Sequence, residues 1–114
     1  MSVEIDGERI ASWTPVIIRG GVFIIPINFF DGVNPENVLS ASIIITPDGA
    51  AEEQWTQANG LLLNLGVGQF TPNLMEADTS AITWDSGHYR IEIVDGSGFT
   101  VPCVTEGLIF AKDC

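Results

Sequence analysis

The chain has 114 residues, 46% of them hydrophobic, and its fifteen Asp and Glu against four Lys and Arg give a formal net charge of −11. A chain of this length is one domain, and it can bury roughly two-thirds of its unfolded surface without a metal or a disulfide. The apolar fraction argues against disorder. The negative field repels phosphate backbones, so we expect no nucleic-acid binding. The acids are scattered along the sequence, which predicts a solvated negative surface.

Membrane-crossing and covalent features are few. The longest apolar stretch, Val22–Phe30, is interrupted by Pro26 and Asn28 and is too short to span a bilayer, and no signal peptide is visible. We therefore expect a chain that folds in a cytoplasm without membrane contact. Cys103 and Cys114 could join the chain end to the last strand, but two cysteines do not define a disulfide framework. With a single histidine, no zinc site is expected.

The first segment, Met1–Trp13, mixes apolar and charged residues. Val3 and Ile5 alternate with acids, as the residues of a short edge strand do. The alternative is an arm that orders only against a partner, because chain termini are loose unless they are tied down. Both alternatives stay open for residues 1–13, and residues 14–114 are predicted to form a β-sandwich domain.

The middle of the chain alternates short apolar runs with turns rich in Gly, Pro and Asn. Predicted strands cover Thr14–Arg19, Val22–Phe30, Ser40–Pro47, Leu61–Leu65 and Gly68–Thr71. Both faces of Val22–Phe30 are mostly apolar, so this strand is expected to be covered on both sides or to lie at an assembly contact. Pro26 predicts a bulge or an edge within it. Ala50–Gln57 is predicted to be a helical turn or a loop that carries Trp55 outward.

The most regular stretch follows Gly87, where apolar and polar residues alternate strictly. A period of two predicts a strand with one buried and one solvated face. Asp85 and Tyr89 at its start have the spacing of the tyrosine corner of immunoglobulin-type sandwiches, whose hydroxyl bonds to backbone a few residues upstream. These two residues are therefore predicted to form a corner of the fold.

One short helical turn is predicted within Pro72–Ile82, begun by Asn73 with Glu76 at capping-box spacing. The final strand is predicted over Phe99–Ala111. Together the pattern predicts an all-β, immunoglobulin-like antiparallel sandwich of about seven strands with one short helical turn.

Residues that carry catalysis or bind metals are sparse. His88 is the only histidine and has no nucleophile or orienting acid in a recognisable motif. The turn Asp95–Gly98 lacks the spacing of a calcium loop, and no lysine follows Gly66–Gly68 as a phosphate loop requires. We therefore predict a non-enzymatic protein without cofactor or metal.

The tryptophans are the remaining candidates for function. Trp13 and Trp55 lie in polar segments and, together with Val3 and Ile5, are the candidate contacts to a partner. The alternative for each indole is a lid on one end of the sandwich. Trp84 is expected to pack in the core.

Four stretches, taken in order along the chain, together carry a resemblance to a known family. They are Pro15–Gly32 (PVIIRGGVFIIPINFFDG), Ala41–Pro47 (ASIIITP), Leu74–Asp95 (LMEADTSAITWDSGHYRIEIVD) and Glu106–Ala111 (EGLIFA). Over Thr14–Ala111 this pattern resembles the small immunoglobulin-like β-sandwich proteins of tailed bacteriophages. Those modules occur as baseplate or tail adaptors, as amino-terminal domains of upper baseplate proteins and as stand-alone virion proteins.

The resemblance implies a virion structural protein made in the host cytoplasm, with the major capsid protein or tail proteins as partners. A capsid decoration or cement subunit is the first expectation, and a tail or baseplate adaptor is the second. Association with further copies of the chain is expected, and a trimer would suit the local three-fold axes of a capsid. A third alternative is a carbohydrate- or receptor-binding module that uses Trp55 and Tyr89 as stacking platforms.

Overall fold

The computed structural model of the protein describes residues 2–9 and 12–113. Within these ranges the chain forms twelve strands and one helix, so the all-β prediction with one short helical turn is confirmed. In chain order the elements are β1 (Ser2–Ile5), β2 (Glu8–Arg9), β3 (Val16–Ile18), β4 (Phe23–Ile24), β5 (Ile27–Asp31), β6 (Asn34–Pro35), β7 (Val38–Pro47), β8 (Glu53–Thr56), β9 (Leu62–Gly66), β10 (Gln69–Leu74), α1 (Glu76–Ser80), β11 (Ser86–Asp95) and β12 (Thr100–Lys112).

The first sheet has the order β2-β1-β5-β10-β4, with β6 beside β5 and β9 beside β10. The prediction of one strand over Val22–Phe30 with a bulge or an edge at Pro26 is wrong. Pro26 divides this run into β4 and β5, because proline has no N–H to donate to a ladder. Phe23 and Ile27 face the core, whereas Val22 and Ile24 are exposed. The second face of the run is therefore uncovered in the chain by itself.

The second sheet has the order β3-β12-β11-β7-β8, in which β3 runs parallel to β12 and the other neighbours are antiparallel. Tyr89, Ile91 and Ile93 on β11 are buried, which confirms the predicted alternation of its faces. The prediction for Ala50–Gln57 is wrong, because this segment contains β8. Its pairing with β7 follows a tight turn after Pro47, and a bulky apolar side chain at the centre of β8 can be buried in the core.

Inward-facing side chains of both sheets form one core. It includes Val3, Ile5, Ile27, Phe29 and Phe70 from the first sheet and Ile43, Ile45, Trp55, Ile91, Ile93 and Ile109 from the second. Aromatic rings connect the layers: the centroids of Phe23 and Trp55 are 5.9 Å apart. Full burial of one such side chain stabilises the fold by about 1.5–3 kcal/mol, so this shared core holds the sheets together.

Helix α1 connects the two sheets at one end of the molecule. The backbone N–H of Met75 donates to the Asp78 carboxylate at 2.8 Å, so the predicted start at Asn73 is wrong by two residues. Thr79 is buried, and its hydroxyl donates to the Gly21 carbonyl at 2.6 Å. A buried hydroxyl needs such a partner, and this one ties the helix to the loop between β3 and β4.

Candidate functional site

The predicted partner contacts of the first segment lie in the core. Strand β1 pairs with β5 from Ser2 opposite Phe30 to Ile5 opposite Ile27. This pairing turns Val3 and Ile5 inward, and both are buried. Of the two alternatives for this segment, residues 2–9 form the strand and not the arm. Neither Val3 nor Ile5 offers a surface to a partner in this structure.

The two candidate tryptophans also pack inward. Trp55 is 3% exposed and lies opposite Ile43 on the inner face of the second sheet, so its predicted outward placement is wrong. Trp13 is half-buried, with its ring centroid 6.2 Å from that of Phe23 and 5.5 Å from that of Tyr89. Since Tyr89 is buried as well, neither Trp55 nor Tyr89 presents an open ring on which a sugar could stack.

Tyr89 makes a long-range tie instead of the predicted local corner. Its hydroxyl donates to the carbonyl of Trp13 at 2.5 Å, across 76 residues of sequence. Burial raises the pKa of Tyr89, which keeps the phenol protonated and able to donate. The prediction that Asp85 and Tyr89 form one corner is wrong, because the hydroxyl is directed to the segment that precedes β3.

Asp85 belongs to a separate ionic cluster around Arg19. The guanidinium donates to the Asp85 carboxylate at 2.7 Å and to the Ile82 carbonyl at 2.9 Å, and it also bonds to the Trp84 carbonyl. Asp113 lies 3.3 Å from the same guanidinium. The hydrogen bond to Asp85 is the largest cause that raises the pKa of Arg19. This cluster joins the end of β3 to the loop before β11.

Reactive groups are isolated on the part of the chain that the structure describes. No group of three or more His, Cys, Asp and Glu among those residues is arranged to hold a metal ion. His88 is exposed between Thr46 and Leu108 in the strand register. Partial desolvation and the neighbouring Glu106 raise the pKa of the exposed Cys103 thiol, which disfavours the nucleophilic thiolate.

None of the helical residues in 2–9 or 12–113 forms a segment that is long and apolar enough to cross a bilayer. The predicted alternative of a bond between Cys103 and Cys114 involves Cys114, which lies outside the described residues.

Three tight turns meet at the end of the molecule where β5 ends and β10 begins. They connect β5 to β6, β9 to β10 and β11 to β12, and they carry Val33, Val67 and Phe99. These three side chains are 84%, 67% and 71% exposed, respectively. Turns usually hold Gly, Asn, Asp or Ser at such positions. We call Val33, Val67 and Phe99 the apolar end.

Two of these turns pack against the connection between β6 and β7. The N–H of Phe29 donates to the Gly68 carbonyl and the N–H of Glu36 donates to the Phe29 carbonyl, both at 2.8 Å. Gly68 has a φ of +63°, and an added Cβ would lie 2.6 Å from the Glu36 carbonyl oxygen. At the third turn, a Cβ on Gly96 would lie 2.5 Å from Nδ2 of Asn37. Glu36 and Asn37 are neighbours, so the turns that carry Val67 and Phe99 contact the same connection, which follows the turn that carries Val33.

The turn between β11 and β12 is fixed by Asp95. Its carboxylate accepts the backbone N–H groups of Ser97 at 2.9 Å and Phe99 at 3.0 Å. The backbone N–H of Asp95 donates to the Phe99 carbonyl at 2.9 Å. The carboxylate therefore serves the turn, and the aromatic ring of Phe99 stays in solvent on a well-ordered backbone.

The opposite end of the molecule is acidic. Helix α1, the turn after β7 and the loop before β11 lie there, together with the end of β12. Its acids are Asp48, Glu52, Glu53, Glu76, Asp78, Asp85 and Asp113. Arg19 and Lys112 also lie there, so seven acids face two bases, whereas the loops at the apolar end hold three acids, Asp31, Glu36 and Asp95, and neither Lys nor Arg. The two ends therefore differ in chemistry.

Sequence reasoning selected aromatic and apolar residues that the fold buries and missed the three large apolar residues that it exposes most. A usable signal existed, since Val33, Val67 and Phe99 each lie beside a glycine, although Phe99 was predicted to begin the final strand. A large apolar side chain in such a turn has no core to enter. No protein-family model, curated protein or solved structure matches the chain. What the protein does must therefore be argued from its own residues.

Proposed function

We propose that the chain is a non-enzymatic structural protein of a tailed-phage virion that decorates the capsid shell and attaches to it through the apolar end. The observation that carries this proposal is the exposure of Val33, Val67 and Phe99 on three turns at the same end of the molecule. Apolar groups that cluster on the surface of a small domain mark contacts to other proteins. A partner protein of the shell would cover them.

The strand order supports the immunoglobulin-like architecture that the sequence resemblance implies. The first sheet contains the order β1-β5-β10-β9 and the second contains β12-β11-β7. These orders correspond to the ABED and GFC sheets of immunoglobulin-type sandwiches. Strand β8 beside β7 occupies the place of the additional strand of the variable type. Architecture alone does not define function, so the apolar end remains the argument for attachment.

The division of the surface suits a repeated subunit. Burial of each exposed Val or Phe side chain contributes about 1.5–3 kcal/mol, so three anchors on turns at the same end give useful affinity. The acidic end would then face solvent. Like charge on the outer surface of many copies keeps a particle soluble and disfavours aggregation between particles. A tail or baseplate adaptor remains the alternative function, and it would be present in fewer copies per particle than a capsid decoration subunit.

A binding experiment on particles tests the proposal. Virions assembled without the chain are incubated with purified protein, sedimented, and assayed for bound chain. The test variant replaces Val33, Val67 and Phe99 by Ser. The matched control replaces Val22, Ile24 and Met75 by Ser, since these are also exposed apolar residues but lie toward the acidic end.

We expect the wild type and the control variant to bind equally and the test variant to bind at least about tenfold more weakly, the equivalent of losing one apolar anchor. Thermal unfolding of both variants verifies that they are folded. Equal binding of the two variants, or absence of wild-type binding, would contradict attachment through the apolar end.

A further inference from the structure

The outer face of the second sheet carries a separate group of exposed apolar residues. Val16 on β3 lies opposite Phe110 on β12, and Leu108 lies opposite His88 on β11. Residues two apart on a strand share a face, so Leu108 and Phe110 both point away from the core. Val16, Leu108 and Phe110 are 45%, 46% and 37% exposed. Next to them Ile44 also faces outward, but it is only 6% exposed because its neighbours on the same face cover it.

The charges on this outer face balance. Arg90 lies 3.0 Å from Glu92 and opposite Glu106 in the register, and Lys112 is two residues beyond Phe110 on the same strand face. The face thus has two basic and two acidic residues. Subtracting these from the whole chain, with its four basic and fifteen acidic residues, leaves two basic and thirteen acidic residues elsewhere. This face is neutral on a strongly acidic protein.

The outer face of the second sheet is not flat. A hollow with a volume of about 440 Å³ lies beside Leu108 and is lined by His88, Tyr89, Glu106 and Gly107. A projecting Leu108 beside a hollow is a shape that can fit a rotated copy of itself.

We infer that two copies of this chain pair through this outer face, about a two-fold axis near Leu108 and His88. Two molecules that each carry a charge of −11 repel each other. The electrostatic repulsion between them is smallest when their neutral faces are in contact. A two-fold rotation places Lys112 of one copy at the level of Glu92 and Glu106 of the other, so opposite charges meet across the interface.

The outer face supplies much of the area that a stable dimer needs. The three long strands, spaced by about 4.8 Å and about 27 Å long, together with the short strands β3 and β8, present roughly 500 Å² of sheet. Specific interfaces bury about 800 Å² on each partner, so the loops around the sheet contribute the remainder. The outer face and the apolar end share no residue. Failure of the pairing would therefore leave the proposed attachment untouched, and failure of attachment would leave the pairing untouched.

Sedimentation velocity over a series of concentrations tests the pairing. We expect the full chain to form dimers with a dissociation constant on the order of 10 μM, and Leu108→Glu to weaken association at least about tenfold. Leu63→Glu is the matched control. It adds the same charge at a leucine of similar exposure on the first sheet, and it should associate like the wild type.

Three outcomes would overturn the inference. The first is a wild type that stays monomeric at a protein concentration about fifty times the expected dissociation constant. The second is a trimer in place of a dimer, and the third is an equal loss of association in Leu108→Glu and Leu63→Glu.

Cross-linking of the unmodified chain gives a second test that needs no variant. Lys112 is the only lysine, so a zero-length reagent that joins amines to carboxylates gives few products. In a mixture of isotope-labelled and unlabelled chains, we expect mixed-label links from Lys112 to Glu92 or Glu106. Links confined to one label, or mixed links only to the acidic end, would contradict the arrangement.

Discussion

Tyr89 shows how one side chain can hold distant parts of a β-protein together. Its hydroxyl donates to the Trp13 carbonyl, and its ring packs against the Trp13 indole. Tyr89→Phe keeps the ring and removes the donor, which leaves a carbonyl without its partner. We expect the free energy of unfolding, measured in urea, to fall by about 1–2 kcal/mol. A change below about 0.3 kcal/mol would show that this bond contributes nothing to stability.

The pKa of the same residue gives a prediction on pH dependence. Burial raises the pKa of Tyr89 above its ordinary value of 10.0, so the folded state favours the protonated phenol. This contribution to stability is complete below the unfolded pKa and is lost as pH rises through the folded pKa. Tyr89 is the only tyrosine, so phenolate absorbance reports on it alone. The midpoint should lie above pH 10 in the folded chain and return to about 10 in denaturant. Equal midpoints would contradict the burial of its hydroxyl.

The sequence predicts the burial of Tyr89 but not its partner. Strict alternation along β11 decides which face is apolar, and that is local information. The partner carbonyl belongs to Trp13, 76 residues away, and only the packing of the two sheets brings it near. The same reason explains Trp55, whose polar neighbours suggested exposure while its register opposite Ile43 turned it inward.

At the scale of elements, strand β1 contributes to the core and is more than a terminal extension. Ile5 is buried opposite Ile27, so Ile5→Ala removes apolar contacts that the fold cannot easily replace. We expect a loss of about 2–4 kcal/mol in the free energy of unfolding. Ile24→Ala is the control, because Ile24 is half-exposed on the outer face of the first sheet and its loss should be under about 1 kcal/mol. Equal losses would indicate that β1 does not pack as described.

The turns of the apolar end depend on Gly68. It has positive φ, and an alanine Cβ would overlap the carbonyl oxygens of Glu36 and Phe29. Gly32 also has positive φ but has open space around it, so Gly32→Ala isolates the conformational effect. We expect Gly32→Ala to cost about 1 kcal/mol and Gly68→Ala at least about 2 kcal/mol, measured by urea unfolding. Similar losses would mean that contact between the loops is unimportant.

Element prediction succeeded where a pattern is long and failed where it is short. The long alternation in β11 is local and is confirmed, whereas the predicted strand Val22–Phe30 is two strands separated at Pro26. The start of α1 was placed at Asn73, because an asparagine followed by Glu76 resembles a capping box, yet Asp78 caps the helix from within. The sequence predicted about seven strands, whereas the part of the chain that the structure describes has twelve. Several of the additional strands contain only two or three residues, too few to give a sequence pattern, and they form through tertiary contact.

The whole molecule has three distinct surfaces: an apolar end, an acidic end and a neutral sheet face. Composition predicts the net charge but not its arrangement, because the seven acids of the acidic end come from separate parts of the sequence and only the connections between strands bring them together. The fold class followed from apolar and turn patterns, while the candidate site depends on which turns meet. Such a division suits a subunit that is anchored at one end, solvated at the other and paired laterally with another copy.

The central claim is membership of a virion, and copy number per particle tests it most directly. Quantitative mass spectrometry of purified virions from the source of this sequence would compare its peptides with those of the major capsid protein. A decoration subunit predicts hundreds of copies, in a simple ratio to the capsid lattice because closed symmetric assemblies repeat their subunits. A dozen or fewer copies would contradict decoration and place the chain in the tail or baseplate. Absence from the particle would contradict the virion assignment itself.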